Sequence, residues 1–113
     1  DKVLSLLLTK MVERIGYTII GTAVSGIEAI SKVKSLNPDL ILMDIMLEDD
    51  IDGIEVMLRL RKDSVDTPVI YITGNSDIYH SERAKETKYV DHLVKPISLE
   101  LLQESINKIP ITS

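Results

Sequence analysis

Apolar positions along the chain follow two alternating patterns, one spaced like the face of a helix and one almost uninterrupted. Residues 3–15 carry apolar side chains three and four positions apart, and Gly16 follows, which predicts an amphipathic helix. The run VLSLLL could also be a strand, but the stripe continues through Ile15, so we favour the helix. The same spacing predicts three further helices, over residues 27–36, 54–62 and 99–109. Residues 77–87 are predicted to form a polar, weaker helix with little apolar stripe.

Between these helices lie short apolar or β-rich runs that predict strands. They cover residues 17–23, 39–43, 68–73 and 90–94. The regular alternation of helix and strand implies parallel strands joined by right-handed crossovers. The predicted fold class is therefore a doubly wound α/β sheet.

Composition narrows the class of protein. The 113 residues are 44% apolar and 27% charged, typical of one globular domain with a substantial core. A net charge of −5 argues against nucleic acid or an anionic membrane as the main partner. The absence of cysteine excludes disulfides and thiolate chemistry, and no apolar stretch approaches 18 residues. We expect a soluble cytoplasmic domain.

Three predicted strands end in a reactive side chain: Asp44, Thr73 and Lys95. Ligands of such sheets bind outside the carboxyl ends of the strands. A carboxylate can attack phosphorus, an ammonium can pair with the phosphate that results, and a hydroxyl can hydrogen-bond one of its oxygens. Each residue alone has a more ordinary interpretation, and the three converge only if the strand order is right, which spacing cannot prove.

The acidic run after Asp44 also suggests a calcium loop. Glu48, Asp50, Asp52 and Gly53 approximate its first, third, fifth and sixth positions. The twelfth position, which needs a bidentate carboxylate, would be Arg59. We therefore expect a solvated loop, with Asp52 and Gly53 forming a turn into the next helix.

Three segments resemble the receiver domain of two-component response regulators, the CheY-like superfamily. "PDLILMDIMLEDDIDGIEV" is similar to the family's phosphoacceptor strand and the loop after it, with Asp44 as the acceptor. "TPVIYITGNSD" resembles its switch strand, with Thr73 as the switch hydroxyl. "DHLVKPIS" resembles its Lys-Pro turn, with Lys95 pairing with phosphate and the Lys95–Pro96 peptide cis.

The resemblance implies a flavodoxin-like sheet with strand order 2-1-3-4-5. It also implies that Asp44 receives phosphate from a histidine kinase or phosphotransfer domain, with Mg²⁺ as the cofactor. The chain would then not be an enzyme in the ordinary sense, because it would catalyse only its own phosphorylation and dephosphorylation. The metal ligands would be Asp44, the backbone carbonyl of Met46 and an acidic pair after the first strand. Magnesium suits such a site because it binds few protein ligands and keeps waters and phosphate oxygens.

In this family an apolar strand that ends in the acidic pair precedes the first helix, whereas here the helix follows Asp1 almost at once. Asp1 resembles the residue just after that pair, or is itself the second acid. We therefore expect residues 1–113 to form a single receiver domain that lacks the family's first strand. Either the natural protein has further residues upstream, or this chain closes the gap by a rearranged or exchanged pairing. The given chain should then bind Mg²⁺ more weakly than a version extended upstream.

The resemblance further implies an output and self-association face over residues 77–109, where a homodimer would form. His92 stands where the family usually carries a tyrosine or phenylalanine that turns inward on phosphorylation. It is either a switch residue or an ordinary histidine in a short strand, and both alternatives stay open. An imidazole at this position could make the response sensitive to pH near neutrality.

Two other functions compete with a phosphoacceptor switch. A pseudo-receiver would keep the fold and act only through its surfaces, as a protein-interaction module. A phosphohydrolase on a similar sheet would need a second aspartate two residues after the nucleophile, where this chain has Met46.

Overall fold

The computed structural model describes residues 10–45, 51–74 and 81–109. Residues 10–15 are helical and are called α1. The other elements in chain order are α2 (Gly26–Leu36), β1 (Ile41–Asp44), α3 (Gly53–Lys62), β2 (Val69–Thr73), α4 (Glu82–Glu86), β3 (Asp91–Val94) and α5 (Leu99–Asn107). Within these described ranges, every helix is too short or too polar to cross a bilayer.

The three strands form one parallel sheet in the order β1-β2-β3. β2 lies in the middle and is buried along its whole length. Helices precede and follow each strand, so the predicted doubly wound α/β class is confirmed. The three observed strands lie side by side as the last three positions of the predicted 2-1-3-4-5 order do.

Alternate residues of β2 pack into two separate apolar clusters, as the side-chain period of a strand requires. Val69 and Tyr71 join the cluster formed with α2 and α3. Ile70 joins the cluster that includes Val12 and the α5 residues Leu102 and Ile106. The sheet is thus covered by helices on both faces.

The predicted strand over residues 17–23 is wrong, because that segment has no strand hydrogen bonds. It lines a cavity of about 590 Å³ whose other wall includes β1. Paired strands lie about 4.8 Å apart, so a cavity between two segments prevents direct pairing. Among the described residues no other strand runs beside this segment, and β propensity without a partner does not make a strand.

Side-chain caps fix where the helices begin. Ser25, Asp52, Ser81 and Ser98 each accept a hydrogen bond from the backbone N–H three residues ahead. The predicted cap at Ser98 and the predicted turn at Asp52 are confirmed. The predicted end of α2 is also confirmed, since Asn37 adopts a left-handed backbone (φ 49°) just before Pro38. Residues 3–9 and 77–80, which the sequence assigns to helices, lie outside the described residues.

Arg61 holds together two loops at the amino ends of β2 and β3. Its Nη1 donates to the carbonyls of Val65 (2.9 Å) and Thr67 (2.8 Å), both just before β2. Its Nε donates to the carbonyl of Thr87 at 2.9 Å, just before β3. One rigid guanidinium therefore satisfies three loop carbonyls at this edge of the sheet.

A buried hydroxyl pair connects β2 to the end of α4. The Tyr71 hydroxyl donates to Thr87 Oγ1 at 2.8 Å, and Thr87 Oγ1 donates to the carbonyl of Ala84 at 2.5 Å. Both side chains are fully buried. Burial raises the pKa of Tyr71 from 10.0 to about 12, although the hydrogen bond to Thr87 opposes this rise.

Tyr71→Phe should lower the free energy of unfolding by about 1 kcal/mol, because it removes one buried hydrogen bond. A separate contribution depends on pH: because burial makes the folded chain keep the Tyr71 proton more tightly than the unfolded chain, that contribution is present below pH 10 and is lost as pH rises through about 12. Denaturant unfolding as a function of pH checks this. The variant should show a shallower decline of stability above pH 10, and an unchanged decline would contradict the assignment.

Candidate functional site

The parallel register brings the ends of three strands level at the carboxyl edge of the sheet. Asp44 is the last residue of β1 and stands opposite Ile72 of β2. Thr73 is the last residue of β2 and stands opposite Val94, directly before Lys95. The three side chains singled out in the sequence therefore lie at neighbouring strand ends.

Asp44 and Lys95 form an ion pair across this edge. Lys95 Nζ lies 3.0 Å from Asp44 Oδ2, although 51 residues separate the two in sequence. The Asp44 side chain is 41% exposed and that of Lys95 is 27% exposed. The carboxylate is thus held by a cation and still open to a reactant from solvent.

Thr73 is buried, with 5% of its surface exposed. The backbone N–H of Lys95 donates to the Thr73 carbonyl at 2.7 Å, which ties the end of β2 to the turn that carries the cation. The Lys95–Pro96 peptide of that turn is cis, as the resemblance implies. The turn that carries Lys95 and the end of β2 are therefore joined directly through the backbone.

The first residue of α3 packs against the backbone that carries Asp44. The Gly53 N–H donates to the carbonyl of Ile45 at 2.9 Å. A Cβ at Gly53 would lie 2.4 Å from the Asp44 carbonyl oxygen and 2.7 Å from Met43 Cγ. Glycine is required here because only a residue without a side chain allows this close approach.

Asp52 has a second partner that the sequence did not reveal. Besides capping α3, its carboxylate accepts hydrogen bonds from both terminal nitrogens of Arg83, at 3.2 and 3.3 Å. Burial acts to raise the pKa of Asp52, but the hydrogen bonds from Arg83 and the Glu55 amide, with the Arg83 charge, lower it below 3.8 overall. Arg83 lies 31 residues away, so no spacing rule for a helix or hairpin points to this pair.

His92 lies in β3, three residues before Lys95, and belongs to an aromatic row. It stands opposite Tyr71 in the sheet. Its ring contacts Tyr89 edge-on, with centroids 5.6 Å apart, and Tyr89 contacts Tyr71 in the same way at 5.3 Å. A switching role for His92 remains a prediction.

Of the predicted metal ligands, the structure describes Asp44 only, because Met46 and Asp1 lie outside the described residues. Within the described part of the chain, no three histidine, aspartate or glutamate side chains lie close enough together to hold a metal ion. One exposed carboxylate suits Mg²⁺, which is commonly held by one or two carboxylates plus waters. The calcium-loop alternative loses one ligand, since the Asp52 carboxylate is occupied by Arg83 and the α3 cap.

The parallel doubly wound sheet carries an acid, a hydroxyl and a lysine at adjacent carboxyl ends of its strands, the edge at which α/β sheets bind ligands. The family model described as "Response regulator receiver domain" matches residues 1–107. The chain therefore belongs to the receiver domain family.

Curated relatives agree with this assignment. The probable C4-dicarboxylate response regulator DctR of Halalkalibacterium halodurans is 33% identical over 82% of this chain and 40% of its own length. The alkaline phosphatase synthesis transcriptional regulatory protein PhoP of Bacillus subtilis is 37% identical over 81% of this chain and 38% of its own. The chain spans about two fifths of the length of these relatives.

Solved structures share the fold over nearly the whole chain. The signal receiver domain of a modulated diguanylate cyclase from Desulfovibrio desulfuricans G20 superimposes with a TM-score of 0.83 and 33% identity, covering 95% of this chain and 84% of that one. A DNA-binding response regulator of the LuxR family from Staphylococcus aureus gives a TM-score of 0.84 and 25% identity, covering 96% and 90%.

Gly53→Ala should displace the end of β1, because the new methyl group would overlap the Asp44 carbonyl. Overpacking against backbone typically costs about 1–3 kcal/mol of stability. We expect a lower thermal midpoint together with altered amide chemical shifts at Asp44 and Ile45. Gly74→Ala is the matched control, since a Cβ there meets no atom within 4 Å. Equal effects of the two variants would contradict the role given to Gly53.

Proposed function

We propose that this chain is a phosphoacceptor switch, in which Asp44 accepts a phosphoryl group from the phosphohistidine of a histidine kinase or phosphotransfer protein. The observation that carries the proposal is the ion pair between Asp44 and Lys95, 3.0 Å apart at the carboxyl edge of the sheet. It supplies a nucleophile and a cation for the incoming phosphate in one place. Membership of the receiver family supports the same reaction.

In the proposed reaction an Asp44 carboxylate oxygen attacks phosphorus and forms an acyl phosphate. The bond from phosphorus to the donor imidazole nitrogen breaks, and the electron pair returns to that nitrogen. Lys95 moves its hydrogen bond from the carboxylate to a phosphoryl oxygen, where its charge stabilises the added negative charge. Hydrolysis of the acyl phosphate by water regenerates the carboxylate and releases inorganic phosphate.

Thr73 is proposed to report the reaction to the rest of the chain. Its hydroxyl would hydrogen-bond a phosphoryl oxygen, and its backbone is already tied to Lys95. Phosphorylation would then favour one of two arrangements of the end of β2 and the segment after it, a shift between populations. We place the responsive and self-associating surface over residues 77–109.

Asp44 also fits as a ligand of the magnesium ion that this chemistry requires, with the Met46 carbonyl and Asp1 as further predicted ligands. The ion would neutralise phosphoryl charge beside Lys95. The protein's own contribution is to hold the carboxylate exposed and the lysine within hydrogen-bonding distance of it. We propose that the domain works in the cytoplasm, on protein partners.

Asp44→Asn should abolish acyl-phosphate formation and leave the fold intact, because the amide has nearly the same shape but is not a usable nucleophile. Labelling with acetyl phosphate and Mg²⁺, followed by intact mass, measures this. Asp39→Asn is the matched control, because Asp39 is exposed and lies near the other end of β1, so it should label like the parent chain. Equal labelling of the Asp44 variant would refute the proposal. No labelling of either the parent chain or a version extended upstream by the first strand would also refute it and would favour a pseudo-receiver.

Lys95→Ala and Thr73→Ala should impair different steps. Without Lys95, labelling should slow on the order of a hundredfold, since a charge that stabilises the transferred phosphoryl group is lost. Without the Thr73 hydroxyl, labelling should stay near normal while the amide shift changes that follow it become smaller.

Thr67→Ala, just before the amino end of β2, serves as the control for a general loss of threonine methyl packing. Labelling rates and amide spectra of the three variants check the division of roles. If Thr73→Ala blocks labelling as strongly as Lys95→Ala, the separation of the two roles is wrong.

A further inference from the structure

Arg83 joins α4 to the amino end of α3, the helix that follows the proposed phosphoacceptor strand. It belongs to α4, and its two terminal nitrogens donate hydrogen bonds of 3.2 and 3.3 Å to the two carboxylate oxygens of Asp52, at the amino end of α3. Its Nη2 also lies 3.9 Å from Glu55 Oε1. We call the contact of Arg83 with Asp52 the Arg83–Asp52 bridge.

The bridge reaches the Asp44 backbone through only one further residue. Asp52 is followed by Gly53, which donates to the Ile45 carbonyl and packs against the carbonyl of Asp44. Asp52 is held in turn by the N–H of Glu55 at 2.8 Å, so its carboxylate cannot follow Arg83 without disturbing the start of α3. A displacement of Asp52 would therefore disturb the contacts of Gly53 with the end of β1, which carries Asp44.

The two ends of α4 are attached in different ways. Near its carboxyl end, Thr87 is held by the buried, uncharged hydrogen bond from Tyr71. Arg83, one turn earlier, is held by charge in a partly exposed position, with 52% of its side chain and 36% of that of Asp52 accessible. The charged attachment is the one that can be released without opening the core.

An exposed ion pair is usually worth little, and most change an equilibrium by no more than roughly fivefold. Here the contact is bidentate and joins two separate elements, which gives it more geometric specificity than a pair within one helix. A fivefold change is small for the stability of a domain. It is enough to change the populations of two states whose free energies are close.

We propose that Arg83 is a positioning residue for the phosphoacceptor site: by gripping Asp52 it holds α4 in the resting arrangement, in which Lys95 pairs with Asp44. Loss of the bridge then favours the switched arrangement even before phosphorylation. This inference rests on the proposed function, but the bridge itself can be tested without any phosphate.

The first test is amide hydrogen exchange of the unphosphorylated protein. Arg83→Gln should increase exchange in α4 by roughly fivefold, the upper limit for such a pair. Asp52→Asn should do the same, because asparagine keeps the helix cap but loses the charge. The double variant should exchange no faster than either single variant, since both remove one contact. Lys85→Gln is the matched control, because Lys85 pairs with Glu82 inside the same helix.

The second test is the amide spectrum of Thr73 and His92. In unphosphorylated Arg83→Gln, these signals should lie partway toward their positions in the parent chain after acetyl phosphate treatment, which a merely stabilising contact would not cause. Additive single variants, an equal effect of Lys85→Gln, or unshifted Thr73 and His92 signals would each overturn the role of Arg83. Failure of both the parent chain and a version extended upstream to label would instead refute the proposed function, while the exchange test would still decide whether the bridge holds α4.

Discussion

The hydrogen-bonded register of β2 with its two neighbours is the constraint on which the site depends. It sets Asp44 opposite Ile72 and Thr73 opposite Val94, so the three strand ends finish at one level. A slip of one residue would turn Tyr71 into the cluster around Leu102 and break its bond to Thr87. The core therefore fixes the relative height of the nucleophile and the cation, although neither takes part in it.

At the carboxyl edge of the sheet, backbone contacts fix the positions of Asp44 and Lys95, while their side chains stay partly exposed. Gly53 approaches the carbonyl of Asp44, and the N–H of Lys95 donates a hydrogen bond to the carbonyl of Thr73. Each reactive side chain is thus attached to a backbone whose place is fixed from another element. The Asp44 carboxylate and the Lys95 ammonium stay partly exposed, so they can exchange partners without unfolding anything.

The features that could be predicted from the sequence are those that depend on residues close to one another along the chain. Helical stripes, the Ser98 cap and uninterrupted strands such as the one ending in Thr73 gave the α/β class, and the family resemblance named the three strand-end residues. The segment over residues 17–23 was misassigned because a strand needs a partner, and β-rich composition says nothing about whether one is adjacent. The contact of Arg83 with Asp52 was missed because it depends on how two helices pack, which no periodicity records.

The Arg61 contacts have a consequence for how such a chain can diverge over evolution. Because one guanidinium holds the carbonyls of Val65, Thr67 and Thr87, lysine could not replace it, since a single ammonium lacks the planar fork. This edge lies at the amino ends of the strands, away from Asp44. A substitution of Arg61 would therefore act on folding and not directly on the chemistry at Asp44, so the two edges of the sheet are constrained for different reasons.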